Sequence, residues 1–82
     1  MIEVIYFAWL RERIGVPRES LQTAALTVAD LVAELSAREE RYALAFGDLA
    51  SVRVALDQEL ADFAAPLAGV REVAFFPQMT GG

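Results

Sequence analysis

A chain of 82 residues and 9.0 kDa holds one small domain, and 56% hydrophobic content makes it too apolar to stay disordered. It has neither cysteine nor histidine, which excludes thiolate and imidazole catalysis, disulfides and soft-ligand metal sites, so no bound metal is expected. A net charge of −5 opposes binding to a nucleic-acid backbone; no apolar run is long enough to span a membrane and no leader-like start precedes the first strand, so a cytoplasmic protein is expected.

Ile2 to Trp9 is rich in β-branched and aromatic residues and reads as a strand. Its alternation places Ile2, Val4 and Tyr6 on one face and Glu3, Ile5, Phe7 and Trp9 on the other. Leu10 to Ile14 allows about a turn and a half of helix, closed by Gly15. Pro17 then introduces a weaker extended segment, Arg18 to Thr23, of edge-strand character. Thr27 is a good N-cap, Asp30 suits the first turn, and Val28, Leu31, Val32 and Leu35 form one apolar stripe.

The segment from Arg38 to Ala50 reads as the end of this helix followed by an irregular crossover, without a second long helix. Val52 to Leu56 alternates Val52, Val54 and Leu56 inward. Asp57-Gln58 interrupts the pattern before Glu59 to Phe63 resumes it, which predicts a hairpin whose turn type these two residues do not specify. Pro66 and Gly69 bracket a loop, and Arg71 to Phe76 is the last strand. The expected class is α+β: a mixed sheet with one main helix packed across one face, a single domain over residues 1–77, and a tail over residues 78–82.

Two features carry functional information. Phe75 and Phe76 are consecutive in a strand, so one faces the core and the other faces out. Phe7, Leu60 and whichever of these two faces out then form an apolar patch on the open side of the sheet, a surface suited to docking. The second feature is the ending, Gly81-Gly82. A terminal carboxylate flanked by residues without Cβ is an unhindered acyl group, and Gln78 to Gly82 can extend about 17 Å at ~3.4 Å per residue. No side-chain constellation offers independent catalysis.

The ending VAFFPQMTGG, the preceding VALDQELADFAAPLAG and the opening IEVIYFAWLRERIG closely resemble the MoaD/ThiS family of ubiquitin-like sulfur carriers, to which small subunits of molybdopterin synthase belong. The resemblance spans nearly the whole chain and implies a β-grasp fold. It implies that the Gly82 carboxylate is adenylated with ATP by a separate ubiquitin-activating-type enzyme. Sulfur from a donor protein then converts it to a thiocarboxylate. The tail would enter the large subunit of molybdopterin synthase, in an assembly of two small and two large subunits, and give its sulfur to cyclic pyranopterin monophosphate. Gly81 and Gly82 are the implied reactive end. Phe7, Leu60, Phe76, Pro77, Met79 and Thr80 are the implied partner contacts, with Phe76 outward. The chain itself is expected to hold no cofactor.

Three positions depart from the family pattern. Asp57 stands where Asn usually precedes Gln, Arg71 where Asp commonly precedes Glu72, and Gln78 replaces the second proline of a Pro-Pro pair. The first two fall on a turn and a loop, whereas Gln78 removes a backbone constraint just before the tail. All seven basic residues are arginine; the alanine-rich composition favours compositional drift as the reason, with a benefit to a protein whose terminus becomes electrophilic as the alternative. The same end group would also serve a sulfur carrier of another pathway, thiazole or nucleoside thiolation, or a ubiquitin-like protein modifier.

Overall fold

A computed structural model describes residues 1–78 of the chain. The elements in chain order are β1 (Ile2–Tyr6), α1 (Trp9–Ile14), β2 (Arg18–Leu21), α2 (Val28–Arg38) and α3 (Glu40–Ala45). A 3-10 turn (Leu49–Ser51), β3 (Val52–Leu56), β4 (Glu59–Ala61) and β5 (Glu72–Pro77) follow. The five strands form one sheet in the order β2-β1-β5-β3-β4; β1 and β5 run parallel and the other neighbours antiparallel. This mixed sheet, with helices over one face, is an α+β β-grasp fold.

Residues alternating along the strands build the core. Val4 and Tyr6 of β1, Val73 and Phe75 of β5, and Val52 and Val54 of β3 are buried against Val28, Leu31, Val32 and Leu35 of α2. The Thr27 hydroxyl accepts the Asp30 N–H at 3.2 Å, so the expected cap forms and satisfies one of the free amides of the first turn. Gly15 closes α1 at φ 97, and its N–H donates to the Arg11 carbonyl at 2.8 Å.

Two segments differ from the sequence reading. β1 ends at Tyr6, and Trp9 opens α1 instead of extending the outer face of the strand. The chain turns at Ala8, whose φ of 53 and ψ of −131 break the ladder. Arg38 to Ala50 is more ordered than a crossover: α3 and the 3-10 turn occupy it, and Tyr42, Ala45 and Phe46 are buried there. The three core residues of α3 and its end span barely one turn, too short for a helical period to be recognised from sequence.

The Asp57-Gln58 connection resolves into a tight turn with both residues at positive φ, 50 and 72. The Asp57 carboxylate accepts the backbone N–H groups of Arg71 and Glu72 at 3.1 and 3.0 Å, tying the hairpin to the start of β5.

Candidate functional site

Residues directly opposed in a ladder point to the same side of the sheet, so the register alone maps its outer face. One row runs Ile5, Ala74, Ala55, Leu60 across β1, β5, β3 and β4. The neighbouring row, nearer the C-terminal end of β5, opposes Phe76 and Arg53. Phe7 joins that end: it follows the last β1 residue, donates its N–H to the Phe75 carbonyl at 3.0 Å, and is 46% exposed.

The ambiguity between the two phenylalanines is decided by packing. Phe75 is fully buried, edge-on to Phe46 with ring centroids 4.9 Å apart and stacked on Tyr6 at 6.2 Å. Phe76, on the opposite side of the strand, is half-buried and lines a shallow apolar depression with Phe7, Ala8 and Pro77. Leu60, 63% exposed, shares the outer face but stands on edge strand β4, separated from β5 by β3; it is not part of the depression. The patch expected from sequence is thus a compact cluster of Phe7, Phe76 and Pro77 with Leu60 as an outlier across the sheet.

Pro77 occupies a strand position that needs no amide donor on its β1 side, because β1 pairing ends at Tyr6↔Phe75 and the chain then turns away. The last described residue is held: the Gln78 N–H donates to the Ser51 carbonyl at 2.8 Å. Ser51 belongs to the 3-10 turn, which is itself capped by the Asp48 carboxylate accepting the Ala50 N–H at 3.2 Å and the Ser51 hydroxyl at 2.9 Å. The chain is therefore held as far as Gln78, the first residue of the tail expected over 78–82. Met79, Thr80, Gly81 and Gly82, expected from sequence to contact a partner and to react, lie outside the described residues.

A second concavity flanks Gln78 on the helical side, between α1 and the α3–β3 connection, lined by Trp9, Arg13, Leu44, Asp48, Ser51 and Gln78. The Arg13 guanidinium lies 4.7 Å from the Trp9 ring centroid, so this side chain is already engaged in a cation–π contact. The groove is lined by a single carboxylate, that of Asp48, which the Ser51 hydroxyl and the Ala50 N–H already engage in capping the 3-10 turn. Among the described residues no group of three or more potential metal ligands is found. Also among the described residues, no helix is long and apolar enough to cross a membrane.

The tightest polar cluster lies elsewhere and is structural. Glu19 opposes Val4 in the β1–β2 register, so its carboxylate faces the helical layer from an edge strand. One of its oxygens accepts the hydroxyls of Tyr6 at 2.7 Å and Tyr42 at 2.6 Å, linking β2, β1 and α3. Burial, reinforced by the Glu19 carboxylate, pushes the Tyr6 phenol far up and the Tyr42 phenol up to about 12. Arg41 completes the clasp by donating to the Ile14 carbonyl at 2.7 Å and to the Glu39 carboxylate at 3.0 Å; the latter bond raises its already high pKa. On the outer face, Glu3 accepts the Ser20 hydroxyl and the Arg18 Nε–H, in that order of effect, and its carboxyl is held below the usual range.

Among the described residues the geometry presents an apolar surface of Phe7, Ala8, Phe76 and Pro77 beside Gln78, which is held to the 3-10 turn. The ThiS family model matches residues 4–82. The chain belongs to the ThiS family. It is 39% identical over 82 residues to the molybdopterin synthase sulfur carrier subunit of Escherichia coli (strain K12), covering 100% of both chains. It is 33% identical to the subunit of the same name from Haemophilus influenzae, again over 100% of both. Among solved structures it is similar to SAMP1 from Haloferax volcanii, with a TM-score of 0.75, 26% identity, and coverage of 99% of this chain and 98% of the other.

Ala8 is the residue of this surface that sequence reasoning passed over. Nothing in the string marks an alanine for a positive-φ turn, where glycine is the usual signal.

Proposed function

We propose that this chain is the sulfur-carrier subunit of a molybdopterin synthase, and that its reactive group is the Gly82 carboxylate. A full-length match to subunits of that name carries the reading. The geometry supports it, since the fold holds Gln78, at the root of a Gly-Gly ending, near the exposed Phe7 and half-buried Phe76 rings.

A carboxylate at neutral pH is a poor electrophile. Attack of its oxygen on the α-phosphorus of ATP, in a separate ubiquitin-activating-type enzyme, expels pyrophosphate and makes an acyl adenylate. A sulfide equivalent from a sulfur-donor protein then attacks the acyl carbon and expels AMP, leaving a Gly82 thiocarboxylate. The absence of Cβ on Gly81 and Gly82 leaves both faces of the acyl carbon open to these reactions. Phe7, Phe76 and Pro77 dock the large subunit, with Leu60 extending the contact across the sheet and Met79 and Thr80 leading the end into its active site. There the sulfur passes to cyclic pyranopterin monophosphate, in an assembly of two small and two large subunits.

The test is intact-mass spectrometry after incubation with ATP, the cognate activating enzyme and a sulfur source. A gain of about 16 Da, sulfur in place of oxygen, is expected, and deletion of Gly82 abolishes it. No gain with the full chain overturns the carrier role. Affinity capture of a thiazole synthase in place of a molybdopterin synthase large subunit redirects the carrier to another pathway.

A further inference from the structure

We infer that the Ala8 side chain is a specificity-determining contact for the protein that receives the tail, its methyl group completing a socket for an apolar side chain of the molybdopterin synthase large subunit. The inference rests on the carrier reading above and goes further by assigning a role to a residue which that reading does not use.

The backbone at Ala8, φ 53 and ψ −131, lies in a region that L-residues rarely adopt and glycine enters freely. Surrounding hydrogen bonds enforce it. Phe7 donates to the Phe75 carbonyl at 3.0 Å, the Phe7 carbonyl accepts Leu10 N–H at 3.2 Å, and the Ala8 carbonyl accepts Glu12 N–H at 3.3 Å. Glycine would make the same three bonds without strain, so the fold has no need of the methyl group. Nor does the methyl serve the core, because Ala8 is exposed.

Ala8 is instead one of the four residues that line the apolar depression, with Phe7, Phe76 and Pro77. The turn at Ala8 also separates its neighbours, sending Phe7 to the outer face and Trp9 to the groove beside α1. The location supplies the occupant. Pro77, one wall of the depression, is five residues from Gly82, so a protein that takes in Gly82 comes within about 17 Å of this wall, a distance spanned by an interface of ordinary size. A lining of two phenyl rings, a pyrrolidine and a methyl group accepts an apolar side chain and offers nothing to a charged one. A larger residue at position 8 would fill the space that the partner enters.

The experiment titrates the full chain, as wild type, Ala8→Gly and Ala8→Leu, into purified molybdopterin synthase large subunit by calorimetry, with thermal melts of each variant. Ala8→Gly is expected to melt at or above the wild-type temperature yet bind about four-fold more weakly, the loss of one buried methyl group at ~0.8 kcal/mol. Ala8→Leu is expected to weaken binding about ten-fold or more by occupying the socket. If wild type binds and Ala8→Gly binds equally well, the inference is overturned and the carrier reading stands. A lowered melting temperature for Ala8→Gly also overturns it, by making the methyl group a folding contact. Failure of the wild type to bind the large subunit counts against the carrier reading itself.

Discussion

Adjacent phenylalanines on opposite faces of β5 allow stability and docking to be separated by two single substitutions. Phe75→Ala removes a fully buried ring that packs edge-on against Phe46 and stacks on Tyr6. Truncation of a buried phenylalanine costs about 3–5 kcal/mol, transfer and cavity contributions together. A domain of 82 residues at ~0.05–0.15 kcal/mol per residue has about 4–12 kcal/mol in total, so this variant loses a large share of its stability. Phe76→Ala removes a ring that is only half-buried, and its cost to folding is expected below about 1.5 kcal/mol. If Phe76 docks the large subunit as proposed, its truncation weakens that binding about ten-fold or more, because the exposed part of the ring is the part such a partner would cover. Urea denaturation at constant m-value measures the first quantity, and calorimetric titration of folded protein measures the second. Equal destabilisation by the two substitutions, or unchanged affinity in Phe76→Ala, would refute the division of labour between the two faces.

Other outcomes follow from the polar contacts. The Tyr42 phenol has a folded-state pKa of about 12 against ~10 unfolded, so its contribution is complete below about pH 10 and is lost as pH rises toward 12. Melting temperature should therefore fall across that alkaline window, and Tyr42→Phe should flatten the fall. For Glu3 the sign reverses: its depressed carboxyl pKa gives stability present above the ordinary glutamate range and lost on acidification, and Glu3→Gln should reduce the acid sensitivity of the melt. Gln58→Gly relieves a left-handed residue at φ 72 and is expected to stabilise the hairpin by about 1 kcal/mol, readable as a rise in denaturation midpoint. Asp57→Ala gives up two exposed hydrogen bonds, leaves the Arg71 and Glu72 amides to water and should destabilise by about 0.5–1.5 kcal/mol, whereas Asp57→Asn keeps an acceptor and should change little.

Local pattern carried most of the architecture. The alternation in Ile2 to Tyr6 and Val52 to Leu56, the Thr27 cap with its apolar stripe, and the Gly15 stop are each set within a few residues, so they are legible in the string. The Gly-Gly ending and the aromatic strand before it were legible for the same reason, since an unhindered acyl end is a property of the residues themselves, while the carrier role came from the resemblance to the MoaD/ThiS family. What needed the folded chain was every choice between equivalents. Strand parity splits Phe75 from Phe76 but cannot say which turns inward; Phe46, arriving from a helix end without a readable period, decides it by packing on Phe75. Register likewise sets Leu60 apart from Phe7 and Phe76, because β3 and β5 come together only through long-range pairing. The turn at Ala8 depends on tertiary structure most of all: its conformation is unfavourable for the residue that adopts it, and the hydrogen bonds from β5 and α1 that enforce it exist only once those elements are assembled.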